Sequence, residues 1–178
     1  MNENLVFSDG LNIYASFQSK VAPYVKWILV LLNLLVLSGY VALIVNIPKD
    51  SQGDFAILFI VIPLFTGLTL TRFTFWNLWG RESIIINTKS FSYQYDYGIL
   101  TLNLKTKETN GLSWAIHDEF IDGDQTYVTV NFGTFDEHDL EIHLHTTSLR
   151  MNLNSYIKLN DLLHELYTEE DLQQASLN

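Results

Sequence analysis

WILVLLNLLVLSGYVALIVNI, residues 27–47, runs without a charge. A helix over it is about 31 Å long at ~1.5 Å per residue, close to the ~30 Å hydrocarbon core of a bilayer. A second uncharged run, FAILFIVIPLFTGLTLT (residues 55–71), continues through Arg72 into FTFWNLW and ends at Trp79. Between them lies NIPKDSQGD, whose Pro48, Gly53 and polar side chains suit a tight turn between helices. Residues 27–79 therefore read as a transmembrane helical hairpin. Arg72, near the end of the second span, can extend to the headgroups. A signal peptide is not expected, because a second span follows at once and no small-x-small cleavage site ends the first run.

Within the spans, Ser38, Gly39 and Ala42 on one helix and Gly67 on the other are expected at the packing interface. Asn33 is expected to hydrogen-bond across to Thr66 or Thr69, and Pro63 to kink the second helix. No Asp, Glu or His lies in mid-span, which argues against a proton or ion pathway. Lys20 and Lys26 before the first span, with Arg72, Arg81 and Lys89 at or after the second, outnumber Lys49 in the turn. Both termini are thus expected in the cytoplasm and the chain in the cell (inner) membrane. Tyr24, Trp27, Phe73, Phe75, Trp76 and Trp79 make an interfacial aromatic belt on that side.

Charge divides the chain. Residues 1–80 hold four basic and four acidic side chains; residues 81–178 hold six basic and sixteen acidic, which places the whole net charge of −10 there. Nucleic acid and anionic headgroups favour basic surfaces, so neither is an expected ligand of the acidic part. A protein partner of basic character fits it better. There is no cysteine, which removes thiol catalysis and disulfides.

Outside the spans the period is two. Residues 1–26 read as a β-hairpin and connector, with Ser8-Asp9-Gly10 as turn and Leu11, Ile13, Ala15 and Phe17 on one face. A lone hairpin is marginal in water, so this one is expected to add to the sheet of the following domain. After Trp79 seven strands are expected, carrying in turn Ile84/Ile86, Phe91/Tyr93/Tyr95/Tyr97, Leu100/Leu102/Leu104, Trp114, Val128/Val130/Phe132, Leu140/Ile142/Leu144 and Leu149/Met151/Leu153. Residues 106–111 read as polar loop, and the strand around Trp114 ends at His117-Asp118-Glu119. An amphipathic helix capped by Asn154 or Ser155 then carries Tyr156, Leu159, Leu162, Leu163 and Leu166, and residues 169–178 read as a fraying polar tail.

Seven strands closed by one helix is the element order of a pleckstrin-homology-like (PH-like) domain over residues 80–168. The stretch Trp76-Asn-Leu-Trp-Gly80-Arg81-Glu82-Ser-Ile84, directly after two spans, resembles a family of uncharacterised bacterial membrane proteins. In that family a short β segment, two spans and a PH-like domain follow one another, and a G-R/K-E-x-I stretch opens the first domain strand. The resemblance implies a membrane α+β fold: a two-helix hairpin plus a seven-stranded antiparallel PH-like β domain with a C-terminal helix. It brings no catalytic residues. Relatives carry basic residues in the second strand, where this chain has Ser92, Gln94 and Asp96.

No nucleophile elbow, triad, phosphate loop or full calcium loop occurs. No cofactor is implied. Glu141, His143 and His145, two apart on one strand, are the sole metal-capable grouping; alternation puts them on one face. His138 and the pair Asp122/Asp124 read as loop polarity, and the Phe91–Tyr97 ladder as sheet packing or a recognition surface. Two functions are therefore carried forward: a membrane-anchored protein-interaction module without catalysis, and a ligand- or metal-responsive sensor using Glu141, His143 and His145.

Overall fold

The computed structural model describes residues 5–46 and 52–176. The chain forms an α+β fold of three helices and antiparallel sheets, divided into two units. A helical unit comprises Lys20–Gly80 with Tyr97–Ile99, and a β unit takes the rest.

In the helical unit, α1 spans Pro23–Asn46 and α2 spans Gln52–Trp79. Pro23 opens α1, a position where its missing N–H costs nothing, and the Ala22 carbonyl accepts from the amides of Val25 and Lys26. The described part of the apolar run, Trp27 to Asn46, therefore lies in a helix that begins earlier than the run itself. Most of the expected turn (residues 47–51) lies outside the described residues, but α2 already includes Gly53 and Asp54. It runs uninterrupted through Pro63.

The two helices pack antiparallel. Lys26 Nζ donates to the Leu78 carbonyl, Asn33 bonds to Thr74 and Thr71, and Tyr40 lies against Gly67. Leu29, Asn33, Val36 and Tyr40, spaced four, three and four apart, form the less exposed stripe of α1. The expected partners Thr66 and Thr69 are displaced toward the other end by this register, and Thr69 instead donates to the Phe65 carbonyl of its own helix. Ser38, Gly39 and Ala42 are exposed, and a Cβ at Gly39 would meet no atom of the facing helix within 4 Å, so they are not interface residues. Asn33→Leu removes an amide that donates to Thr74 and accepts from Thr71. It is expected to weaken the pair by about 0.5–2 kcal/mol, read as a lowered unfolding midpoint in detergent.

The β unit holds two antiparallel sheets and α3 (Leu153–Ser176). The first has strand order β1 (Leu5–Ser8), β2 (Ile13–Gln18), β3 (Arg81–Asn87), β4 (Ser90–Asp96), β5 (Lys105–Glu108). The second has β6 (Leu112–Asp122), β7 (Gln125–Phe135) and β8 (Glu141–Thr146), with β9 (Met151–Asn152) also on β7. The N-terminal hairpin joins the first sheet as expected: β2 pairs with β3, Ile13 opposite Ile86 and Ala15 opposite Ile84. Alternation sends Ile13, Ala15, Phe17, Ile84 and Ile86 into the core, where they are joined by Phe91, Val128, Val130, Phe132, Met151, Leu159 and Leu163. Leu11, expected on the same face, is exposed in the turn.

That turn is held by Asp9. Its Oδ1 accepts from the amides of Asn12 (2.7 Å) and Leu11 (3.0 Å), and Gly10 takes φ +89°. The two amides, Asn12 first, hold the Asp9 carboxyl below its ordinary 3.8. A depressed carboxyl contributes stability above its unfolded value and loses it as pH falls through the folded one. The β1–β2 turn is therefore expected to loosen only below about pH 3.8, and Asp9→Asn should abolish that acid step in the exchange of the Leu11 and Asn12 amides.

Four further expectations are corrected. The third domain strand is the polar β5, pairing with β4 from Ser90 opposite Glu108 to Tyr93 opposite Lys105. Leu100 to Leu104 lie before it, joined to β4 only through the bridge Asp96–Thr101 and the Leu102 amide on the Tyr95 carbonyl. β6 does not end at His117, where the register shifts at a bulge, but runs on to Asp122. The cap of α3 is Asn152, whose Oδ1 accepts from the Ser155 amide at 2.7 Å, the N3 amide for a cap at that position. The helix then runs on to Ser176, through most of the expected tail.

Candidate functional site

Among the described residues, Glu82 is the one charged side chain that ranks with the largest fully buried ones. Position 82 is in phase with Ile84 and Ile86, so strand β3 points its carboxylate into the core. Both of its oxygens are bonded there. Oε1 lies 2.6 Å from His145 Nε2, and Oε2 accepts from the backbone amides of Ser148 (2.8 Å) and Leu149 (2.9 Å). His145 is itself buried and stacks on Tyr93, ring centroids 4.1 Å apart at 17°. Phe91 and Tyr95 flank it at 5.8 and 6.1 Å. Tyr95 Oη and Ser148 Oγ share a hydrogen bond of 3.1 Å. The carboxylate thus ties β3 of the first sheet to β8 and the segment before β9 in the second.

Sequence alternation places Glu141, His143 and His145 on one face. The structure separates them. The register of β7 against β8 shifts between Phe132 and Gly133: Phe132 faces His145, but Gly133 faces His143. Leu144 is the extra residue of this bulge, and it breaks the period of two. His145 therefore turns into the core, while His143 stays exposed and bonds Thr146 Oγ1 at 2.8 Å. Glu141 accepts from the Ser113 hydroxyl across Gly133, where a Cβ would come within 2.6 Å of Glu141 Oε1. Leu140, which lies before β8, and Ile142, both expected inside, are exposed. Among the described residues no group of three His, Asp or Glu side chains is placed to hold a metal ion.

The other singled-out residues are local. His117 is 3.7 Å from Asp118 at the β6 bulge. The His138 amide donates to Asp136 Oδ1, and Asp122 and Asp124 flank Gly123 (φ +59°). In the aromatic ladder, Phe91 is core, Tyr93 and Tyr95 pack around His145, and Tyr97 belongs to the helical unit. Lys105 Nζ lies over the Tyr93 ring at 5.7 Å. A half-open cleft of about 380 Å³ lies between the β1–β2 turn and α3, lined by Phe7, Gly10, Lys158, Leu162 and Glu165 among others.

The arrangement around Glu82 is suited to holding two sheets together. Its oxygens are already occupied, and its imidazole partner is enclosed by rings. Glu82 stands in the Gly80-Arg81-Glu82-Ser-Ile84 stretch that opens the first domain strand, but that stretch gives it no role. Its structural signal is its phase: a carboxylate two residues before Ile84 and four before Ile86 shares their face. Comparison with known proteins finds no matching family model, no matching curated protein and no matching solved structure.

Proposed function

We propose that the chain is a membrane-anchored interaction module in which α1 and α2 form a transmembrane hairpin and the β unit is a PH-like domain that binds a basic protein segment, without catalysis. The observation that carries this reading is the outside of α1. By length and composition α1 can cross a membrane. Trp27, Ile28, Leu32, Leu37, Val41 and Leu43 are all exposed, and the stripe facing α2 is partly covered. Exposed apolar side chains thus occupy about two thirds of its circumference at ~100° per residue. An apolar surface of that extent needs lipid or protein around it.

The proposed partner is drawn from the long β6–β7 hairpin. Near its tip Phe120 and Ile121 are exposed, beside Asp118, Glu119, Asp122 and Asp124. Apolar anchors ringed by acids suit a basic segment with apolar side chains of its own. A photocrosslinking residue at Ile121, in native membranes, is expected to give a discrete protein adduct. Neutralising the acids (Asp118→Asn, Glu119→Gln, Asp122→Asn) is expected to abolish it. No adduct, or one indifferent to the neutralised acids, would refute the partner assignment.

Orientation is tested separately. Reporter fusions are expected to be cytoplasmic at Asn178 and exported when placed in residues 48–54, as the basic flanks require. An exported Asn178 fusion would reverse that orientation.

A further inference from the structure

The segment Tyr97–Ile99 leaves the end of β4 and belongs with the helices, not with the sheets. Three contacts hold it against the last turns of α2. Tyr97 Oη accepts from Arg72 Nε (3.1 Å) and Nη2 (2.9 Å), with the guanidinium also near its ring. The Tyr97 ring packs on Trp76, centroids 5.1 Å apart. Gly98 takes φ +87°, and a Cβ there would come within 2.7 Å of Trp79 Cβ, so backbone lies directly on the Trp79 side chain. Arg72 stands seven residues before Trp79, about 10 Å down the helix axis at ~1.5 Å per residue. Tyr97 and Gly98 therefore lie along the last two turns of α2, on the side chains of Arg72, Trp76 and Trp79. The residue after this seated backbone, Ile99, is 72% exposed.

Composition says what should cover it. Residues 97–104 (YGILTLNL) carry no charge, bracketed by Asp96 and Lys105, in a part of the chain that otherwise holds the entire net charge of −10. An uncharged apolar tip, fixed at the aromatic and arginine end of an apolar helix pair, matches the interfacial zone of a bilayer, where Tyr, Trp and Arg sit at headgroup level and apolar side chains enter the acyl boundary. We propose that the Tyr97–Ile99 loop is a third membrane-contacting element. Tyr97 supplies the acceptor for Arg72 at headgroup depth, and Ile99 inserts among the upper acyl carbons. This inference rests on the transmembrane reading of α1 and α2.

The chain contains no cysteine, so single-cysteine variants label cleanly. Leu37→Cys, Ile99→Cys and Asp124→Cys of the full chain, each carrying an environment-sensitive fluorophore, are reconstituted in phosphatidylcholine vesicles. Quenching is measured with aqueous iodide and with lipids bearing a nitroxide near either end of the acyl chain. Leu37 should respond most to the deep nitroxide. Ile99 should respond most to the shallow nitroxide and resist iodide several-fold better than Asp124. If Leu37 resists both nitroxides, the transmembrane reading fails and the loop proposal with it. If Leu37 behaves as expected but Ile99 is quenched by iodide like Asp124, the loop proposal alone is overturned. Ile99 shielded from both quenchers would assign the tip to a protein contact and also overturn the proposal.

Discussion

Glu82→Ala is expected to destabilise the β unit by about 3–5 kcal/mol, because each buried donor left without its acceptor costs about 1–3 kcal/mol. The loss has two sources. His145 loses the carboxylate 2.6 Å from its Nε2, and the amides of exposed Ser148 and buried Leu149 lose their shared acceptor. These sources can be separated. Replacing both side chains (Glu82→Leu with His145→Phe) removes the pair itself, which is often nearly neutral in a well-packed interior. It still leaves the amide of buried Leu149 unbonded, at about 1–3 kcal/mol. The double variant should therefore remain clearly less stable than the parent, and Glu82→Gln, which keeps an acceptor oxygen, should fall between the parent and Glu82→Ala. Urea unfolding of the full chain in detergent gives the stabilities, and exchange of the Ser148 and Leu149 amides locates the damage. An Ala variant with the parent's midpoint would show that the carboxylate does not join the sheets.

The second large effect is remote in sequence. Ile13→Asp changes a residue sixty-eight positions before the start of β3, yet Ile13 is fully buried opposite Ile86. An unpaired carboxylate there costs several kcal/mol or is forced to protonate. Exchange protection should fall at the amides of β3 and β4, because β2 is the inner neighbour of β3 in the five-stranded sheet. Unchanged protection across Arg81–Asp96 would mean that the N-terminal hairpin is dispensable to the sheet.

The sequence is legible where its physical signals are strong. Phe17, Ile84, Val130 and Phe132 are buried on one side of their strands only, and alternation places each of them inside. Strand β5 (KTKE) is exposed along its whole length. Its pairing is made by backbone, and an edge strand gains from lysines that discourage further pairing, so hydrophobic period gives no sign of it. The adjacent Leu100, Leu102 and Leu104 imitate a strand by the same measure. The Glu141–His143–His145 grouping fails for another reason. One inserted residue, Leu144, reverses the facing of the residues on its two sides, and a bulge has no signature in an alternating stretch. Nothing in the sequence separates His145 from His143 until Glu82 is known to lie across the core. In α1 the apolar residues are so uniform that the stripe of Leu29, Asn33, Val36 and Tyr40 does not stand out from the apolar surface around it.

Anchoring of the whole chain depends on the proposal that α1 and α2 span a bilayer. Native membranes washed with alkaline carbonate and then floated through a density gradient test this directly. An integral hairpin stays with the lipid and floats with it. Recovery of the chain in the carbonate supernatant, while known integral proteins float, would contradict the proposal.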